Sequence, residues 1–207
     1  MLLYAITSRC LLPGSEAEKR ASLAALTRAW AMGGVDYVQI REKDLPARDL
    51  LELARGVVAA VRGEGCKMRV LLNGPTEIAL EAGADGVHLP GSAALGAGDE
   101  SRRAYAKAGR EEVVSRACHS VEEVRAARDA SLIVFAPVFE KVDVPGGAAV
   151  EGQGLSVLAD ACRAADDVPV IALGGVTAAN AADCVAAGAA GVAGIRLFLG
   201  EEWRNLR

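Results

Sequence analysis

Short aliphatic runs alternate with longer stretches in which apolar residues recur every three or four positions, along the whole 207-residue chain. The runs fall at 2–6, 35–40, 69–72, 86–89, 112–116, 131–135, 168–172 and 191–195. Continuous apolar runs of this length predict strands buried on both faces, as in a parallel sheet covered by helices. Between them the spacing predicts helices over 16–32, 47–63, 76–82, 100–108, 121–129, 155–165, 178–187 and 199–206. Ser15, Ser120 with Glu123 three residues on, and Thr177 supply helix start signals. Eight strand–helix units predict an α/β chain, a single (β/α)8 TIM barrel over residues 1–207 with little room for inserted domains. An open doubly wound sheet ranks behind, because no GxGxxG follows the first strand.

An internal similarity supports the repeat. Glu81-Ala-Gly-Ala-Asp-Gly-Val-His88 parallels Ala187-Gly-Ala-Ala-Gly-Val-Ala193, and Ala31-Met-Gly-Gly-Val-Asp-Tyr-Val38 is a looser copy. Each reads as a glycine closing a helix and leading straight into a strand. Two connections are long, 90–99 after the fourth strand and 138–154 after the sixth, at strand ends where barrel enzymes place their sites.

Composition narrows the function classes. Hydrophobic residues make up 52 % of the chain but aromatics only 4 %, which leaves few rings for base stacking. The formal net charge of −4 argues against nucleic acid as a partner. No segment approaches about 20 uninterrupted apolar residues, so no membrane partner is expected. The first residues carry no basic stretch ahead of their short apolar run and do not read as a signal peptide. Five scattered cysteines without metal-ligand spacing read as reduced thiols, and the expected location is cytoplasmic.

In a barrel, residues just past the strand ends converge on one mouth. They are polar here: Thr7, Gln39, Arg41, Lys43, Asn73, His88, Ser92, His119, Ser120, Glu140, Lys141, Gly174, Gly175 and Arg196. Paired glycines at 174 and 175, with Gly194 and Arg196 after the eighth strand, suit a phosphate held by backbone N–H groups; the alternative is tight strand-to-helix turns. Gln39-x-Arg41-x-Lys43 alternates, so its polar side chains share a face and suit a second anion; the alternative is a salt bridge to Glu42 or Asp44. Both histidines, His88 and His119, stand at strand ends, where they could move protons or bond a neighbouring loop. Cys118 and His119 are adjacent on a strand and point to opposite faces, which speaks against a nucleophile pair. Glu140 is the one carboxylate firmly at the mouth, so no metal site is expected; Asp44 and Asp143 stand at its margin.

The segments Tyr4-Ala-Ile-Thr7, Val38-Gln-Ile-Arg-Glu-Lys43, Leu72-Asn73, Ala84-Asp-Gly-Val-His-Leu89, Cys118-His-Ser-Val-Glu-Glu123, Phe135-Ala-Pro-Val-Phe139, Gly152-Gln-Gly-Leu155 and Val170-Ile-Ala-Leu-Gly-Gly175 run in order over nearly the whole chain. Together they resemble the thiamine phosphate synthase/TenI family. The resemblance implies a (β/α)8 barrel of thiamine biosynthesis, commonly a homodimer, that binds a thiazole phosphate. Synthases of that family join hydroxymethylpyrimidine diphosphate to thiazole phosphate with Mg²⁺ bound by two aspartates. The corresponding stretches here, Asn73-Gly74 and His88-Leu-Pro-Gly-Ser92, lack both aspartates, and this chain has Val144-Pro145 near a synthase lysine and Ala117 in place of a serine. Asn73-Gly74 and the turn from Pro90 to Ser92 are instead similar to TenI, a metal-independent thiazole tautomerase, whose proton-transfer histidine is matched here by Pro137. The resulting expectation puts a TenI-like tautomerase first, with His119 or His88 moving the proton and Gln39, Arg41, Lys43, Asn73 and Glu140 contacting substrate. Gly174, Gly175, Gly194 and Arg196 would hold the phosphate. A Mg²⁺-dependent synthase and a catalytically silent thiazole-phosphate binder are the alternatives; no cofactor is expected otherwise.

Overall fold

The apolar runs become β1 (Leu2–Ile6), β2 (Tyr37–Ile40), β3 (Arg69–Leu72), β4 (Gly86–Leu89), β5 (Val113–Cys118), β6 (Leu132–Phe135), β9 (Val170–Ala172) and β10 (Gly191–Gly194). A two-residue antiparallel ladder, β7 (Lys141–Val142) with β8 (Ala149–Val150), lies after β6. The computed structural model describes residues 1–63, 65–142 and 149–206. The eight longer strands pair in parallel and close in the order β1-β10-β9-β6-β5-β4-β3-β2. Helices α1 (Glu16–Met32), α2 (Ala47–Arg62), α3 (Thr76–Ala82), α4 (Ala97–Lys107), α5 (Val121–Ala126), α6 (Gly154–Ala164) and α7 (Ala181–Ala186) follow β1, β2, β3, β4, β5, β8 and β9. The expected (β/α)8 barrel is therefore the fold. No helix among the described residues is long and apolar enough to cross a membrane.

The pleat sends alternate residues to opposite sides of each strand. Tyr4, Ile6, Leu71, Leu132, Val134, Ile171 and Ala193 pack together inside the barrel. Their strand neighbours Leu3, Ala5, Val70, Leu72, Ile133, Val170 and Val192 pack outward against the helices. The Ala-rich composition serves this second layer, since small side chains on α2, α3, α6 and α7 let helix backbones approach the sheet.

At the floor, acidic residues ahead of strands satisfy the first N–H of a neighbour. Asp36 accepts from Leu3 N–H at 2.8 Å, and Asp85 accepts from Val70 N–H at 2.7 Å while pairing with Arg62 at 2.6 Å and Arg69 at 3.3 Å. The internal repeat has the same physical root. A Cβ at Gly86 would stand 2.8 Å from the backbone N and C of Val113, and one at Gly191 would stand 2.6 Å from the Leu2 carbonyl carbon. Both glycines permit close approach of paired strands.

Several boundaries move from their sequence expectations. The helix expected over 199–206 is instead two 3-10 turns, Arg196–Phe198 and Glu202–Leu206. They bury Phe198 and Trp203 beside Trp30, whose indole N–H donates to the Phe198 carbonyl at 3.0 Å, so ring packing overrides helical spacing. The helix expected from 178 starts at Ala181 because Asn180 folds the preceding turn. Its side chain accepts from Thr177 N–H at 2.8 Å and donates to the Gly175 carbonyl at 3.1 Å. Ser15 and Ser120 cap α1 and α5 as expected. Helix α5 stops at Ala126, short of 129, where Asp129 turns inward to the buried Arg116 at 3.0 Å and to Gly98 N–H at 2.9 Å.

Substituting Gly86→Ala or Gly191→Ala forces a methyl into the backbone of the neighbouring strand. Each variant is expected to lose about 2–3 kcal/mol in urea denaturation, whereas Gly56→Ala, with open space around it, should lose none.

Candidate functional site

Polar side chains are set among the apolar ones of the barrel interior. Gln39 stands in register between Ile6 and Leu71, which turns it toward the axis; it is 1 % exposed and its Nε2 has no hydrogen-bond partner. Buried donors in folded proteins are otherwise nearly always satisfied. His88 and Ser115 face each other across β4 and β5, with His88 Nδ1 2.9 Å from Ser115 Oγ and 3.4 Å from the Tyr4 hydroxyl. The Tyr4 hydroxyl is also 3.2 Å from Ser115 Oγ. Burial, reinforced by the positive charges of Arg41 and Lys43, pushes the His88 imidazolium down to about 3. His88 is thus a neutral ring at physiological pH, and both cations lie close enough to bias it. Tyr4 is driven above its ordinary phenol value by burial and stays protonated.

The cations of the Gln39-x-Arg41-x-Lys43 segment are not consumed by their sequence neighbours. Glu42 and Asp44 both bind Arg9, at 3.1 Å and 2.5 Å. Neither Arg41 nor Lys43 forms an ion pair with a described residue. Arg41 is half-buried and Lys43 exposed, both at the end of β2. Asn73 follows β3, half-buried, its backbone N–H bonded to the Ile40 carbonyl at 2.9 Å.

His119 occupies a second part of the mouth. Its Nδ1 lies 2.8 Å from the Ala136 carbonyl, which can only accept, so Nδ1 carries the hydrogen and Nε2 is the free acceptor of the neutral ring. Gln153 Nε2 donates to the same carbonyl at 3.3 Å. The ring leans on Gly91, where a Cβ would lie 3.1 Å from Cδ2 and 3.4 Å from Nε2. Cys118 points the other way into the outer core, where burial pushes its thiol up to about 11. That thiol is a packing residue.

The third part is built by the glycines after β9. Gly174 and Gly175 hold φ of +96° and +65°, the region that favours glycine. A Cβ at Gly174 would stand 2.7 Å from Pro137, and one at Gly175 would stand 2.7 Å from Phe139 Cβ. Backbone bonds from Val138 N–H to Leu173 O and from Phe139 N–H to Gly174 O, both 2.9 Å, zip the two loops together. Close loop packing therefore accounts for the paired glycines, and it leaves the N–H groups of Gly174, Gly175 and Val176 without an acceptor among the described residues. Gly194 packs against Leu197, and exposed Arg196 opens the 3-10 turn beside it. Glu140 is exposed after β6. Asp143, Val144 and Pro145 lie outside the described residues, as does part of the long connection over 138–154.

The donor set does not fit a Mg²⁺ site. No group of three or more His, Cys, Asp or Glu among the described residues could hold a metal ion. The stretches Asn73-Gly74 and His88 to Ala93 carry no carboxylate, and Glu42 and Asp44 are held by Arg9. Sequence reading did not single out Tyr4, Arg9, Ser115 or Gln153, although Tyr4 and Gln153 stand in the motif segments, and it offered Glu42 only as a salt-bridge partner of Arg41 or Lys43, whereas Glu42 pairs with Arg9.

Comparison with known proteins gives a consistent picture. The sequence model of one family, described as thiamine monophosphate synthase, matches residues 3–198. A relative from Geobacter sulfurreducens is 41 % identical over 205 residues, spanning 96 % of this chain and 87 % of its own length. The thiamine-phosphate synthase of Methanoculleus marisnigri is 39 % identical over 178 residues, spanning 85 % of this chain and 80 % of its own. Among solved structures, a thiamine phosphate pyrophosphorylase from Pyrococcus furiosus superposes with a TM-score of 0.76 at 23 % identity, covering 98 % of this chain and 90 % of that one. That last likeness is one of fold.

The depressed imidazolium of His88 makes stability depend on pH. Protonation favours the unfolded chain, so the contribution is complete above the ordinary value near 6.5 and is lost as pH falls toward about 3. Between pH 7 and pH 5, urea denaturation should show the wild type losing about 2 kcal/mol more than His88→Gln. Equal losses in the two proteins would mean that His88 titrates normally.

Proposed function

Since the chain belongs to the thiamine monophosphate synthase family, we propose that it joins hydroxymethylpyrimidine diphosphate to thiazole phosphate, forming thiamine phosphate. The observation that carries this reading is the presence of two anion-seeking sets at one barrel mouth. Arg41 and Lys43, without an ion pair among the described residues and following the buried Gln39 donor, suit a diphosphate. The N–H groups of Gly174, Gly175 and Val176 suit a monophosphate. Condensation needs both at once: the C–O bond to diphosphate breaks, its electron pair leaves with the diphosphate, and the thiazole nitrogen lone pair forms the new C–N bond. Arg41 and Lys43 would hold the departing charge, and the glycine loop would fix the thiazole in line. The synthase names of relatives weigh on the same side, and move the reading away from the tautomerase that the sequence alone put first.

A second reading keeps the tautomerase. The poor fit to Mg²⁺ favours it, as does His119, whose Nε2 is an oriented proton acceptor. In that case Arg41 and Lys43 would face a carboxylate, and His119 would take and return the proton that aromatises the ring.

The test is to mix purified protein with both condensation substrates, with and without Mg²⁺, and to follow thiamine phosphate by mass spectrometry. Product should form, and Arg41→Gln should raise the KM for the diphosphate substrate by about tenfold or more. No product, together with faster ultraviolet-monitored aromatisation of the thiazole carboxylate phosphate, would transfer the assignment to the second reading. Binding without turnover in either assay would leave the silent binder.

A further inference from the structure

Past the end of β2, Arg41 and Lys43 lie close enough for their charge to act on His88, whereas the Glu42 between them is committed to Thr7 and Arg9. Glu42 is 4 % exposed. Its Oε1 accepts from the Thr7 hydroxyl at 2.7 Å and from Arg9 N–H at 3.1 Å. Its Oε2 accepts from the same Arg9 N–H at 3.2 Å and from the guanidinium Nη1 at 3.1 Å. Thr7 acts as a relay, because its hydroxyl oxygen accepts the backbone N–H of Arg41 at 3.0 Å while its hydrogen goes to Glu42. The chain on both sides of the anion-seeking pair is thus tied to the end of β1.

Arg9 completes the arrangement. Its two terminal nitrogens bind Asp44 at 2.7 and 2.5 Å, and its Nε binds Glu16 at 2.7 Å at the start of α1. One guanidinium, buried with 7 % exposure, therefore occupies three carboxylates, two of them the sequence neighbours that would otherwise neutralise Arg41 and Lys43. The pull of Asp44 raises Arg9 above its ordinary value, and Arg9 in return holds Asp44 down at about 2, so this pair stays charged at neutral pH.

We infer that Glu42 is the positioning residue of the anion site: by holding Arg9 and Thr7 behind the β2 end, it aims Arg41 and Lys43 into the mouth and keeps them unpaired. The inference rests on the reading of Arg41 and Lys43 as anion-binding residues. It also makes a prediction of unusual sign. Glu42 is an anion close to an anion site, so removing its charge without moving anything would tighten anion binding. If Glu42 positions the cations, removing its charge weakens binding instead.

The experiment is calorimetric titration of the protein with inorganic pyrophosphate in metal-free buffer, comparing Glu42→Gln, Asp44→Asn and the Arg41→Gln/Lys43→Gln double variant, each checked by thermal melting. Glu42→Gln is expected to weaken binding about tenfold and Asp44→Asn about threefold, and Glu42→Gln should add nothing in the double-variant background. Asp44 is 64 % exposed in its side chain and is readily replaced, so Asp44→Asn decides the matter if Glu42→Gln does not fold. Unchanged or tighter binding by Glu42→Gln, or by Asp44→Asn in its place, while the double variant binds poorly, would overturn the positioning role and leave the anion site standing. Wild-type binding matched by the double variant, or no binding by the wild type, would overturn the anion site and the positioning role with it.

Discussion

Barrel closure depends on β1 lying against β10 and β4 against β5 more tightly than a side chain permits, so glycine is required at 191 and at 86. A closed parallel sheet has no edge, and every inner position is held at a fixed height on a common axis. From that constraint follows the sorting of the interior. Tyr4, Leu71, Leu132 and Ile171 fill the apolar inside, while Gln39, His88 and Ser115 provide buried polar groups within it. The same closure gathers eight strand ends at one rim, which is why loops distant in sequence share one mouth.

Charge at that mouth is arranged by separation. Each acid near the β2 end is drawn behind the strand by Arg9, and each cation of the Gln39-x-Arg41-x-Lys43 segment is left forward. His88 is a neutral imidazole because it is buried and because a further positive charge near Arg41 and Lys43 would be costly. Among the described residues, Arg41 and Lys43 are left without an ion pair and the N–H groups of 174–176 without an acceptor, and no carboxylates cluster as a hard cation requires. An anion of high charge density is the natural complement.

The two histidines divide along the same lines. His88 is held among hydroxyls and deprived of its proton, whereas His119 stands at the exposed rim with Nδ1–H committed to the Ala136 carbonyl and Nε2 left as acceptor. Equal placement at strand ends made them look equivalent. Their difference is one of depth, since a ring inside the barrel is desolvated and a ring on the rim is not.

The sequence by itself determined the barrel. Eight apolar runs with helical stretches between them fixed the element order, the internal repeats marked glycines that lead helices into strands, and Ser15 and Ser120 marked helix starts, because these are local periodicities and local backbone preferences. It also brought Gln39, Arg41, Lys43, His88, His119 and the 174–175 glycines forward as a set, since strand-end position is readable from the same periodicity. Tertiary structure alone decided which of them are charged, paired or free. That Arg9 and not Lys43 takes Asp44, that Pro137 and Phe139 explain the paired glycines, and that Trp30 turns the expected last helix into two 3-10 turns all depend on contacts between segments far apart in the chain. Pairing and burial are properties of three-dimensional neighbours, and the spacing of residues along one strand carries no record of them.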